Sequence, residues 1–211
     1  MKKGLFITFE GIDGSGKTTQ LDKTAEYLKK QGFDVILTRE PGALDTGKAI
    51  RSILLSAESA VSDRCEMFLF LADRANHAEM LIEPALKSGR IVLCDRYIDS
   101  TIAYQGYGRG QDIELLKMLN NIAAGRTIPD LTLIYDIDAE NASKRIVKSR
   151  RQDRMEKAGL EFQKKVRSGY LELQQQNPDR MKIINAGKSE EKVFEDTKAQ
   201  IETLMHKMQN K

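Results

Sequence analysis

Gly11-Ile12-Asp13-Gly14-Ser15-Gly16-Lys17-Thr18 decides how the rest of the chain is read. It satisfies the phosphate-binding pattern G-x-x-x-x-G-K-[ST] at every fixed position. Its surroundings agree with it. Residues 5–9 ahead of it are a short β-rich run, and residues 18–31 behind it, starting Thr18-Thr19, read as a helix that Gly32 caps. Gly11, Gly14 and Gly16 can bring backbone N–H groups close to a polyphosphate, where the helix N-terminus adds partial positive charge. Lys17 then reaches the β and γ phosphates of a nucleoside triphosphate, and the Thr18 hydroxyl can ligate Mg²⁺.

A chain of 211 residues, 40% of them hydrophobic, can bury one sizeable core, which predicts a single domain over residues 1–211. The net charge of +3, from 34 basic and 31 acidic residues, leaves no general nucleic-acid footprint. Cys65 and Cys94 sit in apolar runs and are too few for a disulfide framework. Buried reduced thiols in a cytoplasmic protein, with no zinc site, are expected. Lys2-Lys3 precedes an apolar run too short for a signal peptide. No run approaches the roughly 20 apolar residues that span a bilayer, so a soluble protein without a membrane partner is expected.

Strand-like runs at residues 5–9, 34–38, 91–95, 131–136 and 182–185 alternate with helical stretches. The alternation predicts an α/β fold, a five-stranded parallel sheet with helices on both faces and ligands at the carboxyl ends of its strands. Residues 63–87 form the longest helical stretch, with Pro84 interrupting it or opening a new turn. A helix starts after residue 98, residues 106–110 read as a flexible glycine-rich closure, and a last helix covers about residues 189–206.

Several positions outside the loop can meet a ligand. Arg39 stands at the carboxyl end of the second strand, where an anion is met, unless it is a solvated surface arginine. Phe70 and Arg74 share a helix face and can stack on a base and bond its edge, although core packing is the alternative for Phe70. The third strand ends in Asp95-Arg96, a carboxylate for Mg²⁺ followed by a guanidinium for an anion. Asp136 is its rival, and capping the next helix is the alternative role for Asp95. Thr101, Tyr104 and Gln105 can line a pocket. Arg150, Arg151 and Arg154 crowd a connector at about residues 149–157, either a solvated charge run or a mobile lid acting on a transferring phosphoryl group. Arg39, Arg51, Arg74 and Arg96 together suggest a second anionic ligand facing the first. A monophosphate acceptor, with a second pKa of about 6, needs no general base, and neither His77 nor His206 stands in a catalytic context.

Phe9-Glu10-Gly11 running into Gly16-Lys17-Thr18-Thr19, then Arg39-Glu40-Pro41-Gly42, Leu69-Phe70 with Ala72-Asp73-Arg74, Asp95-Arg96-Tyr97 and Ala103-Tyr104-Gln105-Gly106 resemble, in order, the bacterial thymidylate (dTMP) kinases of the nucleoside-monophosphate kinase group. The resemblance covers nearly the whole chain and implies the P-loop kinase fold, ATP as donor with Mg²⁺, dTMP as acceptor and dTDP as product for dTTP synthesis. On the family's pattern ATP is held by Gly11, Ile12, Asp13, Gly14, Ser15, Gly16, Lys17, Thr18, Thr19, Arg151 and Ala186, the last in the adenine-contacting loop. Phe70 would stack on thymine, Arg74 and Gln105 would bond its edge with Thr101 nearby, and Tyr104 would favour the deoxy sugar. Asp13 would hold the sugar 3′-hydroxyl or the metal shell. Arg39, Arg96 and Arg51 would grip the acceptor phosphate, and Thr18 and Asp95 the Mg²⁺. The phosphate loop lacks an arginine, so Arg150 and Arg154 would act from the lid beside Lys17, Arg96 and Asp13. Either Arg150 or Arg151 can point inward. The family also implies a homodimer. A kinase for another nucleoside monophosphate or small phosphate acceptor is the alternative within enzymes. A GTPase-like switch is the alternative outside them, but the chain lacks the Asn-Lys-x-Asp segment such switches use to read guanine.

Overall fold

The structure is a computed structural model and describes residues 4–56, 60–146 and 158–209. In chain order the elements are β1 (Leu5–Glu10), α1 (Lys17–Lys30), β2 (Val35–Arg39), α2 (Asp45–Leu55), α3 (Asp63–His77), α4 (Glu83–Lys87), β3 (Ile91–Asp95), α5 (Ile98–Thr101), α6 (Ile113–Ala124), β4 (Leu131–Asp136), α7 (Ala139–Ile146), α8 (Leu160–Gln176), β5 (Met181–Asn185) and α9 (Glu190–Gln209). Each predicted strand is present to within a residue or two at its ends. All pairings are parallel and the order is β2-β3-β1-β4-β5, the five-stranded α/β sheet that the alternation predicts.

Burial follows position in that order. The central strand β1 is buried at every residue, as is its neighbour β3, because helices cover both faces. The edge strands β2 and β5 instead mix buried and exposed positions. One core cluster joins Ile7, Phe9, Leu93 and Leu133 to Leu21 and Leu28 of α1 and to Val166 and Tyr170 of α8. A second lies on the opposite face, where Phe6 and Val92 meet Tyr97, Ile82 and Ala85. Fully burying a side chain such as Phe6 or Ile7 contributes about 1.5–3 kcal/mol relative to exposure, so the paired clusters fix β1, and with it the loop that follows, from both sides.

The helices start and stop for local reasons. Helix α1 ends where the Gly32 N–H returns to the Lys29 carbonyl and the Phe33 N–H to that of Leu28, and Gly32 has a positive φ, as a glycine cap requires. Helix α3 begins at Ser62, whose Oγ accepts from the Cys65 N–H, and carries Asp63 and Glu66 in its first turn. The helical path then runs without a break to Lys87. A widened π-helical turn at Ala78–Ile82 precedes Pro84, which sits in the first turn of α4. A proline ring clashes with the carbonyl four residues back in a regular helix, and the widened turn takes up that misfit.

Two expectations are corrected. Residues 106–110 are not a flexible closure. After α5 a second π-helical segment covers Ile102–Gly108, and its glycines serve packing, Gly106 against Ile113 and Leu116 of α6 and Gly108 against α8. A Cβ on Gly108 would stand 2.6 Å from the Phe162 ring, closer than any side chain allows. Cys65 is exposed near the start of α3, because the apolar run containing it turns its other face to the protein; Cys94 is buried on β3 as expected. Among the described residues no helix is long and apolar enough to cross a membrane.

Candidate active site

A cleft of about 300 Å³ opens at the carboxyl ends of β1, β2 and β3. Its floor is the phosphate-binding loop. Gly14 carries a φ of +79° there, and a Cβ on it would stand 2.4 Å from the Ala142 carbonyl oxygen of α7. The loop can therefore lie against α7 only if this residue is glycine. Lys17, Thr18 and Thr19 open α1 and line the cleft with Asp13, Gly14 and Gly16. Ile12 turns its side chain into the core, so only its backbone can serve a ligand. Ser15 is buried and its Oγ has no hydrogen-bond partner among the described residues.

The charges around the loop are tightly coupled. Lys17 Nζ lies 3.8 Å from Asp13, and Arg96 Nη2 donates to the same carboxylate oxygen at 2.6 Å. Burial works against the Asp13 carboxylate, but Arg96 and Lys17 outweigh it and hold its pKa below the ordinary value. Burial, then Arg96, pulls the Lys17 ammonium below its usual pKa, with Asp95 and Asp13 opposing. An incoming polyphosphate relieves this crowding of cations. Arg96 also donates to the Gly11 carbonyl at 2.9 Å and stacks over the Tyr104 ring at 4.8 Å. Its backbone φ of +70° is strained for an arginine, and it places the guanidinium between the loop and Tyr104.

The Thr18 hydroxyl donates to Asp95 Oδ2 at 3.0 Å, while Asp95 Oδ1 is buried without a partner among the described residues. A hydroxyl and an orphaned carboxylate oxygen side by side are hard oxygen ligands of the kind Mg²⁺ takes, so these residues fit that ion. The rival carboxylate, Asp136, is held by Arg167 through contacts of 2.6 and 2.9 Å and lies outside the cleft lining.

At the other end of the cleft stand Phe70, Arg74, Thr101, Tyr104 and Gln105. Phe70 is half-buried and belongs to none of the core clusters, unlike Met67 and Leu71 beside it. Arg74 departs from expectation. Its Nε and Nη2 bind Glu40, Nη2 also donates to the Tyr97 carbonyl, and Nη1 donates to Thr101 and Asn120. All five of its N–H groups have protein acceptors, so here it braces the cleft wall and offers no N–H to a base edge. The sequence shows a helix face but not the buried acceptors that surround it. Glu40 also accepts from His77 Nδ1 at 2.9 Å, and His77 Nε2 lies 2.7 Å from the Thr38 hydroxyl, so the histidine is bound within the wall. The Tyr104 hydroxyl donates to Asp13 at 3.4 Å, and burial raises its pKa well above that of a free tyrosine.

Arg39 is exposed at the cleft edge, and Arg51 reaches the Pro41 carbonyl at 3.1 Å. Ala186 is buried outside the lining, but Arg145 donates to its carbonyl at 3.1 Å and itself lines the cleft beside Gly16. Arg145 and Ser100 went unread in the sequence. Arg145 has one visible signal, a basic residue in the last turn of α7. Arg150, Arg151 and Arg154 lie outside the described residues.

The model of the thymidylate kinase family matches residues 9–197. The chain belongs to the thymidylate kinase family. It is 44% identical over 205 residues to a thymidylate kinase of Maridesulfovibrio salexigens, covering 93% of this chain and 94% of that protein. It is 47% identical over 196 residues to one of Pelotomaculum thermopropionicum, covering 92% and 91%. The crystal structure of the thymidylate kinase from Ehrlichia chaffeensis superposes with a TM-score of 0.79 at 36% identity, over 95% of this chain and 99% of that one. The family's match spans the phosphate loop, the cleft wall and the connector to α8.

Proposed function

We propose that this chain phosphorylates dTMP to dTDP, taking the γ-phosphoryl of ATP. The observation that carries the reading is one cleft with two unlike ends. Lys17 and Thr18 stand at the loop end, and a half-buried Phe70 with Gln105 stands at the other. Lys17 and the loop N–H groups hold the donor phosphates, while Arg96 and Arg39 meet the acceptor phosphate, with Arg51 and Asp13 beside them. Arg96 sits between the two ends and offsets the repulsion of two phosphates brought together. The acceptor oxygen is already ionised near neutral pH, so no residue need abstract a proton. Thr18 and Asp95 would hold Mg²⁺, which would add charge neutralisation at the transferring phosphate.

Phe70 stacks on thymine, Gln105 bonds its edge with Thr101 alongside, and Tyr104 excludes a ribose 2′-hydroxyl. Arg74 acts behind them by holding Thr101 in place. The lid of residues 149–157 supplies Arg150 and Arg154 to the transferring phosphoryl group and Arg151 to ATP, and the Ala186 loop with Arg145 borders the adenine. The chain works as one domain, as a cytoplasmic homodimer. The exposed apolar side chains Phe68, Leu115, Met118 and Ile122 on α3 and α6 favour the dimer.

A coupled assay with ATP, Mg²⁺ and a panel of dTMP, dUMP, dCMP and dAMP tests the substrate. Clear preference for dTMP is expected. Equal turnover of another monophosphate would overturn the base assignment, and GTP-selective binding without transfer to any monophosphate would revive a switch.

A further inference from the structure

Gln105 is buried and its side-chain amide has two unlike ends. Nε2 donates to Glu66 Oε1 at 2.9 Å, while Oε1 accepts no hydrogen bond from a described residue. Glu66 is fully buried on α3, one turn before Phe70, and Arg109 clamps its carboxylate, Nε sharing Oε1 with Gln105 at 3.4 Å and Nη2 reaching Oε2 at 3.3 Å. Arg109 is fixed in turn by stacking over the Phe162 ring at 4.9 Å and by Asp63 at 3.5 Å. Which way a glutamine amide points is set by what its nitrogen and oxygen face, and a carboxylate accepts without donating. One N–H of Nε2 must therefore face Glu66, and the carbonyl oxygen at the opposite end of the amide is the acceptor that Gln105 can offer to the cleft.

We propose that Glu66, braced by Arg109, is a positioning residue that locks the Gln105 amide with its carbonyl oxygen toward the base, making the cleft accept from a pyrimidine that carries N3–H and reject one whose N3 is an acceptor. This rests on the reading that Gln105 meets the base. Thymine and uracil present a donor at N3, whereas cytosine presents a lone pair there, so an oxygen at this position pairs with the first two and repels the third. Without Glu66 the amide is free to rotate by half a turn, and its NH₂ group then meets cytosine N3. The 5-methyl group that separates thymine from uracil lies outside this device.

The test compares kcat/KM for dTMP and dCMP in the parent, Glu66→Met, Glu66→Gln and Gln105→Leu. Glu66→Met removes the acceptor at similar volume. The dTMP-to-dCMP ratio should fall by roughly tenfold or more, through a raised KM for dTMP more than a lowered kcat. Glu66→Gln, whose amide can both donate and accept, should fall part-way. General loosening lowers both substrates together and leaves the ratio alone. An unchanged ratio in Gln105→Leu means that Gln105 does not read the base, which removes the reading beneath the proposal. A changed ratio there with parental ratios in both Glu66 variants overturns the positioning role by itself. If the Glu66 variants do not fold, a crystal structure of the parent with dTMP decides. Nε2 still on Glu66 with Oε1 nearest N3 supports the lock, and an amide that has left Glu66 overturns it.

Discussion

Glu10 is a carboxyl at the end of β1 with no exposure, accepting from the Tyr97 N–H, the Ser100 hydroxyl and the Tyr170 hydroxyl. Burial, reinforced by Asp99, pushes its pKa up to about 7. A carboxyl whose folded pKa exceeds its unfolded one binds its proton more tightly in the native state, so its contribution to stability is whole below the unfolded value of 4.5 and is lost as pH climbs toward 7. Glu10→Gln carries no such titration. Its melting temperature relative to the parent should rise between about pH 5 and about pH 8, and parallel profiles in that window would show that Glu10 is charged at little cost. Phe70 calls for a different readout, since it lies outside the core clusters. Phe70→Ala should raise the KM for dTMP severalfold while leaving the melting temperature within a few degrees; lost stability with an unchanged KM would return Phe70 to the core. At this scale the phosphate loop, Asp95 and Arg96 were legible because their chemistry is written in consecutive residues. Arg74, Glu66 and Glu10 were not, since each acts through partners more than 20 positions away that only the fold brings near.

The elements were legible where periodicity and local punctuation agree, as in β1, α1 and its Gly32 cap. The segment after α5 departs from the local rules because Gly106 and Gly108 look like loop residues, whereas Gly106 admits Ile113 and Leu116 of α6 and Gly108 admits Phe162 and Val166 of α8 at close range. The same closeness governs the phosphate loop. Gly14→Ala would push a Cβ into the Ala142 backbone at a positive φ, with a cost of about 1–3 kcal/mol, and would move the loop off α7. Weakened ATP binding together with a lower melting temperature is expected, read by titration and by thermal unfolding; ATP affinity equal to the parent's would mean that the loop tolerates the shift. The connector between α7 and α8 makes a kinetic prediction. In the lid role proposed for them, Arg150 and Arg154 act on charge that develops during transfer, so Arg150→Ala or Arg154→Ala should lower kcat about tenfold or more with a smaller change in ATP binding, and an unchanged kcat in both would remove the lid from the mechanism.

For the whole molecule, the parallel sheet and its layering followed from the alternation of strands and helices, but the strand order and the use of the outer surface did not, because alternation does not say which strands pair and composition counts apolar residues without placing them. Helices α3 and α6 bury Met67, Leu71 and Leu116 against each other. On the outside, α6 exposes Leu115, Met118 and Ile122, spaced to share one face, and α3 adds Phe68. Ile122 at 72% and Met118 at 59% exposure are far more open than core packing would leave them, and side chains of this size grouped on neighbouring helices mark an association surface. A self-complementary patch joining two copies about a two-fold axis would put each of these residues against its partner's helices, so a charge on each copy would enter the interface twice. Met118→Glu with Ile122→Glu should therefore turn a dimer into a monomer by sedimentation at micromolar concentration. The fold should survive, because both positions face away from the core. If the parent itself sediments as a monomer, the patch must serve another partner. If the variant stays dimeric, the interface lies elsewhere on the molecule.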